Sequence, residues 1–237
     1  MGSFHWEWEV FLRDTGGGTT YLQWMMSAWG WTLAVSACSW VFALVFGALI
    51  GTLRTVPATA LRGIGTAWVE LFRNIPLLVQ IFLWYHVIPA IFTSLRDLPA
   101  FVLVVLALGC FTSARVAEQV RAGIQSLPRG QKNAGLAVGL TLPQTYRYVL
   151  LPMAFRIIIP PLTSEAMNLI KNSSIALTIG LAELTFRARE MGEYTFHFFE
   201  AFTVATLTYV TIAMSANRAM AWIERKVAVP GYIAVRK

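Results

Sequence analysis

Residues 131–152 read QKNAGLAVGLTLPQTYRYVLLP, a polar and basic stretch between strongly apolar parts of the chain. Its first half combines helix-forming residues with small ones, and small side chains let another surface come close to the backbone. Gly139 can adopt a positive φ at little cost and end a helix sharply. Pro143 suits the first turn of a second helix, because its missing N–H would have no partner there. The stretch therefore predicts a short helix, a turn and a second helix.

The composition indicates a helical membrane protein. Of the 237 residues, 57% are hydrophobic and 13% are charged, whereas a soluble domain carries about 25% charged residues. The mean hydropathy is +0.59. The net charge of +7 comes from basic residues in short loops between apolar runs rather than on one amphipathic face. Because no recognition motif accompanies this charge, we expect no nucleic-acid partner.

Five apolar runs are long enough to cross a bilayer, which takes about 20 residues in a helix. They are Tyr21–Leu53 and residues 74–95, 98–114, 150–181 and 201–217. The second helix is expected to begin near Ile64. The fourth run is interrupted by Pro160-Pro161, which leaves open whether its helix is continuous or broken. The predicted fold class is all-α: a polytopic membrane protein with about five transmembrane helices, forming a single transmembrane domain over residues 1–237.

The distribution of Lys and Arg predicts the orientation of these spans. One set of loops contains residues 51–65, residues 115–149 and the C-terminal tail, and it carries twelve basic residues. The other set contains the N-terminus and residues 93–97 and 182–200, with four. The first set is therefore expected in the cytoplasm, with the N-terminus outside and the C-terminus inside. The 115–149 loop would face the compartment that contains ATP.

Three long segments resemble amino-acid permeases of ABC importers, and they occur in the same order as in that family. They are VELFRNIPLLVQ (69–80), VRAGIQSLPRGQ (120–131) and LPMAFRIIIPPLTSEAMNLIKNSS (151–174). The resemblance covers nearly the whole chain. It is greatest to the glutamate/aspartate branch, particularly in LPRGQKNA, GLTLPQTYRYVLLP and IIPPLTSE.

Within this family, residues 131–152 resemble the cytoplasmic docking loop, whose pattern is E-A-A-x3-G-x9-I-x-L-P. The matching positions here are Asn133, Ala134, Gly135, Gly139, Val149, Leu151 and Pro152. Two of them depart from the pattern, since Asn133 replaces a glutamate and Gly135 replaces the second alanine. A neutral amide at 133 cannot form a charged pair. The resemblance implies that Asn133, Ala134, Gly135, Gly139, Leu151 and Pro152 couple the chain to a separate ATPase.

The resemblance also implies a set of partners and a location. We expect a permease subunit for polar amino acids, with glutamate and aspartate as substrates, in the bacterial inner membrane. The expected partners are a dimer of ATP-binding subunits, a periplasmic amino-acid-binding protein and a second permease chain. A hetero-dimer of permeases is favoured, although a homo-dimer is possible. We expect no cofactor in this chain, because ATP and Mg²⁺ would bind to the partner ATPase.

Several polar residues fall inside the apolar runs, where a charge costs about 2.5–3.5 kcal/mol on insertion scales and usually faces protein or water. Glu165, Asn168 and Asn172 recur at i, i+3 and i+7 and form a polar stripe, with Lys171 beside it. Lys171 can be a countercharge for an acidic substrate or a partner of Glu165. The candidate substrate pathway consists of Arg73, Glu165, Asn168, Lys171, Asn172 and Ser173. Arg73 can also pair with Glu70, three residues earlier.

Other functions have less support in the sequence. The 131–152 stretch alone would also suit an amphipathic helix that rests on lipid headgroups. A self-contained secondary transporter or channel would be expected to have inverted repeats with paired broken helices, and only one proline-broken segment is apparent. His5, His86 and His197 are scattered without metal-ligand spacing, and no hydrolase or nucleotide motif occurs. We therefore expect no catalytic residue and no metal site.

Overall fold

The computed structural model describes residues 5–227, and this part of the chain is almost entirely helical. The α-helices are α1 Tyr21–Leu53, α2 Thr59–Asn74, α3 Leu77–Phe82, α4 Ile88–Ile91, α5 Ala100–Gln125, α6 Arg129–Ala137, α7 Leu142–Thr145, α8 Leu151–Asn172, α9 Leu184–Thr195 and α10 Phe198–Val227. Short 3₁₀ segments cover Trp8–Leu12, Thr93–Leu95 and Ser173–Ile179, and π turns cover Leu83–Val87 and Tyr146–Leu150. The all-α prediction is confirmed.

Within residues 5–227, four continuous helical stretches are long and apolar enough to span a membrane. They are Tyr21–Leu53, Ala100–Gln125, Leu142–Ile179 and Phe198–Val227. A fifth span is present if Thr59–Asn74 and Leu77–Ile91 are counted together, although the two are bent by 103°. The prediction of about five spans is therefore confirmed.

The second span corrects the expectation of one helix running from near Ile64 through residue 95. Its helix ends at Asn74, and Ile75 is extended, with φ −90° and ψ 129°. The cause is Pro76, because the proline ring disfavours the helical region for the residue before it. The bend between α2 and α3 is the result.

The fourth span, which the sequence left open as continuous or broken, is continuous at Pro160-Pro161, because α8 runs through both prolines. Helix-breaking residues are tolerated in membrane spans, where neighbouring groups satisfy the freed backbone atoms. Two other prolines do affect the local helix. A π turn at Leu83–Val87 precedes Pro89, and another at Tyr146–Leu150 precedes Pro152. A widened turn makes room for a proline ring that would otherwise clash with a carbonyl of the preceding turn.

Helix α5 extends eleven residues beyond the predicted end of the third span, into the region assigned to the 115–149 loop. Arg115, Glu118 and Arg121 lie on one face of this extension at i, i+3 and i+6. Each takes part in an ion pair. A helix can continue through such residues because their charges are neutralised within the protein. Helix α10 likewise extends past the predicted residues 201–217.

The contacts group the chain into two units. Unit one contains the described residues up to Ser39, with Leu77–Leu108 and Leu169–Ser215. Unit two contains Trp40–Pro76, Gly109–Asn168 and the described residues from Ala216 onward. The prediction of a single domain stays a prediction. Arg236 and Lys237, two of the basic tail residues used for the orientation, lie outside the described residues.

Each unit has its own apolar core. In unit one, Tyr21 and Met25 of α1 pack with Leu184 and Met191 of α9 and Ala201 of α10. The core of unit two is formed by residues of α1, α5 and the 146–162 region: Ala43, Val116, Val120, Tyr146, Leu150, Ile158 and Leu162. This second core connects the predicted docking region to α1 and α5.

Candidate functional site

The predicted helix and turn of the 131–152 stretch are present in unit two. Helix α6 ends at Ala137, and Gly139 follows with φ +89°. The Leu140 N–H donates to Gly135 O at 3.1 Å, and the Gly139 N–H donates to Leu136 O at 3.0 Å. This pair of bonds is a Schellman motif, which satisfies the last carbonyls of a helix and requires a left-handed residue. The role inferred for Gly139 in ending the helix therefore has a geometric basis.

The second helix also begins where the sequence indicates. Pro143 lies in the first turn of α7, and Thr141 is the residue that precedes the helix. The side chain of Gln144 accepts a hydrogen bond from the Thr141 N–H at 2.8 Å. A glutamine at the third helical position commonly stabilises the helix start in this way. The turn between α6 and α7 is thus fixed at both ends.

One side of this element is open to solvent. We define the coupling surface as the exposed residues of 133–139, namely Asn133, Ala134, Leu136, Ala137, Val138 and Gly139. Val138 is 78% exposed and Leu136 is 42% exposed. Exposed apolar side chains next to polar ones are typical of a contact with another molecule. The neutral side chain of Asn133 lies within this surface.

Two of the predicted coupling residues face the interior instead. Gly135 is buried, and a Cβ at this position would lie 2.8 Å from Thr145 Cγ2. The surface that approaches Gly135 closely is therefore the last residue of α7 in the same chain. Leu151 packs against the core of unit two, whereas Pro152 is exposed. Gly135 and Leu151 thus hold the coupling surface in position without forming part of it.

A hydrogen bond that the sequence did not suggest connects this element to α1. Tyr146 is buried, and its hydroxyl donates to Thr55 O at 2.9 Å. Thr55 lies just after the end of α1. The two residues are 91 positions apart, and no local pattern marks either one. The tyrosine ring also belongs to the core of unit two.

A polar pocket lies elsewhere in the same unit. Its cavity volume is about 230 Å³, and it is lined by Arg73, Arg115, Glu118, Gln119 and Glu165. Arg115 donates from Nε to Glu165 Oε2 at 2.7 Å and from Nη2 to Glu165 Oε1 at 3.2 Å. Glu165 is nearly buried, so this two-point pairing offsets the cost of its charge.

Glu118 is surrounded by three arginines. Arg54 Nη1 donates to Glu118 Oε1 at 2.6 Å, and Arg121 Nη2 donates to Glu118 Oε2 at 2.9 Å. Arg73 Nη1 lies 3.6 Å from Glu118 Oε1. The group therefore joins the residue that follows α1 to α2 and α5 within unit two. Arg115, Glu118 and Gln119 were not predicted as site residues, although their spacing on one helix face was a usable signal.

The ion pairs of Glu165 and Arg73 differ from those that the sequence suggested. Glu165 pairs with Arg115 rather than with Lys171, and Arg73 lies beside Glu118 rather than Glu70. Glu70 instead accepts a hydrogen bond from Asn74 Nδ2 at 2.7 Å. The reason is that long arginine side chains on neighbouring helices reach these carboxylates, which sequence spacing cannot reveal.

Only two residues of the predicted substrate pathway line the polar pocket, namely Arg73 and Glu165. Lys171 is exposed, and across residues 5–227 it forms no ion pair. Ser173 is buried, and its hydroxyl donates to Ile170 O at 2.7 Å. Asn168 and Asn172 are half-buried. Within residues 5–227, no cluster of three potential metal ligands occurs.

The chain also matches a known protein family. The family described as "Binding-protein-dependent transport system inner membrane component" matches residues 21–229. The chain belongs to this family. It is therefore a multi-pass membrane permease of the ABC importer type, and its helical spans agree with that assignment.

Curated relatives are amino-acid permeases. The glutamate/aspartate import permease protein GltJ of Escherichia coli K12 is 52% identical over 240 residues, covering 97% of this chain and 98% of the relative. The probable amino-acid ABC transporter permease protein PatM of Vibrio harveyi is 34% identical, covering 83% and 88%. The glutamine transport system permease protein GlnP of Escherichia coli K12 is 32% identical, covering 82% and 89%.

Solved structures agree with the fold. An amino acid ABC transporter crystallised with histidines has a chain that is 29% identical, with a TM-score of 0.75, covering 87% of this chain and 95% of that one. A chain of the inward-facing MetNI methionine ABC transporter is 20% identical, with a TM-score of 0.73 and coverage of 88% and 98%. The second likeness concerns the fold alone.

Proposed function

We propose that this chain is the permease subunit of an ABC importer for glutamate and aspartate, driven by a separate ATPase that binds the coupling surface. The substrate proposal is supported by 52% identity to a glutamate/aspartate import permease along almost the full length of both chains. The observation that carries the coupling proposal is the exposed helix α6, closed by the Schellman motif at Gly139.

We call α6, α7 and the turn between them the coupling element. This element is suited to transmit movement because it is short and because hydrogen bonds fix its turn at both ends. A pair of ATPase subunits that closes on ATP would draw the coupling surfaces of two permeases together. The spans would then open outward, and hydrolysis would return them to the inward-facing state. The free energy for this cycle comes from the greater affinity of ATP for the closed ATPase pair. ATP and Mg²⁺ would bind to the partner, and this chain would hydrolyse nothing.

The other parts of the proposal follow from the family and from the charge distribution. The chain would lie in the bacterial inner membrane with its N-terminus outside and its C-terminus in the cytoplasm. It would pair with a second permease, preferably a different chain, and receive substrate from a periplasmic binding protein. The substrate pathway would include Arg73, Glu165, Asn168, Lys171, Asn172 and Ser173. Of these, Arg73 and Glu165 share the polar pocket.

The test is reconstitution of the chain with its ATPase, its binding protein and its candidate second permease in proteoliposomes. We expect ATP hydrolysis and uptake to rise with glutamate and with aspartate, and to change little with arginine or histidine. Strong stimulation by arginine and none by glutamate would contradict the substrate. Uptake by the permeases alone under an ion gradient, without ATP, would replace the importer by a secondary transporter.

A further inference from the structure

We propose that the polar pocket is a subsite for the side-chain carboxylate of the transported amino acid and that Arg73 is its direct partner. This inference rests on the proposed import of acidic amino acids and adds the residue that would recognise them. Its basis is the charge, geometry and size of the pocket formed by Arg73, Arg115, Glu118, Gln119 and Glu165.

The charge around Glu118 is unbalanced. One carboxylate faces three guanidinium groups, those of Arg54, Arg73 and Arg121. Arginine remains protonated in proteins, so this group carries two positive charges beyond what Glu118 neutralises. The Arg54 side chain is only 10% exposed, and positive charge taken out of water is costly unless it is paired. An anion that entered the pocket would reduce this excess.

Among the three arginines, Arg73 is the one available to a ligand. Arg54 and Arg121 donate to Glu118 at 2.6 Å and 2.9 Å, and their side chains are 10% and 35% exposed. Arg73 Nη1 stays 3.6 Å from Glu118, which exceeds hydrogen-bond distance, and its side chain is 57% exposed. Its planar group of donors matches a carboxylate and could bind one through two parallel hydrogen bonds.

The rest of the pocket suits a zwitterion. Arg115 already donates two hydrogen bonds to Glu165, so this ion pair forms a fixed side of the pocket. The carboxylates of Glu118 and Glu165 lie on the same pocket and are the groups that an α-ammonium would approach. The pocket volume of about 230 Å³ leaves room for a small charged molecule.

The experiment compares Arg73→Gln, Arg73→Lys and Arg62→Gln in the assembled complex. Arg62 is on the same helix and does not line the pocket, so Arg62→Gln is a matched loss of one charge. Binding of radiolabelled glutamate is measured in nanodiscs without the binding protein, with glutamine as the uncharged competitor. Uptake is measured in proteoliposomes. Because a charge-assisted hydrogen bond is lost, Arg73→Gln should weaken glutamate binding roughly tenfold or more.

The other expected results are that Arg73→Lys retains most of the binding and that Arg62→Gln matches the wild type. Arg73→Gln should also reduce the preference for glutamate over glutamine. If Arg73→Gln bound and transported glutamate like the wild type, this inference would fail while the proposed function stood. Equal binding of glutamine and glutamate by the wild type would also overturn it, without any variant. If the wild type neither bound nor transported glutamate, the proposed function itself would fail.

Discussion

Gly139 is the backbone position on which the turn of the coupling element depends. Its φ of +89° is unfavourable for any residue with a Cβ, yet an added Cβ would meet nothing within 4 Å. A substitution there therefore acts through the backbone alone, without a steric clash. The same position in the sequence suggested a helix end, and the structure supplies the hydrogen bonds that make it one.

We predict that Gly139→Ala destabilises the turn by about 1–2 kcal/mol, because an alanine must adopt the left-handed conformation. Substrate-stimulated ATP hydrolysis of the reconstituted complex should fall at an unchanged level of assembly. Gly130→Ala is the control, since it also adds a Cβ in open space, without a positive φ. Wild-type stimulation in Gly139→Ala would show that the turn does not transmit the movement.

Glu183 of unit one is a fully buried carboxyl outside the membrane-spanning helices. It precedes α9 and accepts hydrogen bonds from the N–H groups of Thr185 at 3.0 Å and Phe186 at 2.8 Å. Tyr209 donates its hydroxyl at 2.6 Å. Burial raises the pKa of Glu183 above its ordinary value, despite these hydrogen bonds, which lower it. The residue therefore caps the start of α9.

This raised pKa predicts a pH dependence of stability. Because the pKa of Glu183 is higher in the folded state than in the unfolded state, its stabilising contribution is complete below the ordinary glutamate pKa. It is lost as the pH rises through the raised value. The thermal unfolding midpoint in detergent should therefore fall across that window. Glu183→Gln should remove this component, whereas the exposed Glu193→Gln should keep it, and an unchanged slope in Glu183→Gln would contradict the assignment.

Between helices, small residues permit the closest contacts. Gly47 and Gly51 are four residues apart on α1 and face α5 within unit two. A Cβ on Gly47 would lie 2.5 Å from Val116 Cγ1, and one on Gly51 would lie 2.6 Å from Ala117 O. Pairs of small residues at this spacing let membrane helices approach closely. The apolar run of α1 indicated a span but not which face carries this contact.

We predict that Gly51→Val separates α1 from α5 and destabilises unit two by about 1–3 kcal/mol, as overpacking does in other cores. The measurement is the fraction of monodisperse protein after heating in detergent. Gly30→Val on the same helix is the control, because a Cβ there meets nothing within 4 Å. Equal losses in both variants would point to helix propensity rather than packing.

The hydrogen bond from Tyr146 to Thr55 O joins the coupling element to the end of α1. We predict that Tyr146→Phe leaves basal ATP hydrolysis intact and raises the ATP consumed per substrate imported by about twofold or more, because one buried hydrogen bond is lost. Tyr148→Phe is the control, since Tyr148 is 62% exposed. An unchanged ratio of ATP to substrate would make Tyr146 a packing residue only.

The orientation of the entire chain is predicted from charge and can be measured directly. In a background of Cys38→Ser and Cys110→Ala, a membrane-impermeant maleimide should label Gly17→Cys in intact spheroplasts. It should label Gly130→Cys only after permeabilisation, because the basic 115–149 region is expected in the cytoplasm. Both glycines are in open space, so access should depend on the side of the membrane. The reverse pattern would place the coupling surface outside and exclude contact with a cytoplasmic ATPase.

The local sequence was sufficient for the features that depend on neighbouring residues. Apolar run length predicted the number of spans, because the bilayer sets the length of a crossing helix. Gly139 and Pro143 predicted the turn between α6 and α7, because their backbone preferences act locally. The family could likewise be inferred, since several segments resemble it and occur in the same order along the chain.

The effect of a proline on its helix could not be predicted from the neighbouring residues alone. Pro76 ends a helix, whereas Pro160 and Pro161 lie within one. The difference depends on what surrounds the freed backbone groups, and this is set by packing.

Only the tertiary structure decided which charges meet and which small residues face inward. Glu165 binds Arg115 from fifty positions away. Glu118 pairs with one arginine just after α1 and with another on α2. Gly135 was predicted to couple the chain to the ATPase, and it is buried against Thr145 instead. The sequence by itself determined helices and turns because these depend on local backbone and bilayer physics, and its resemblance to known permeases indicated the family. Long side chains pair across helices according to the packing of the whole chain, which no short spacing contains.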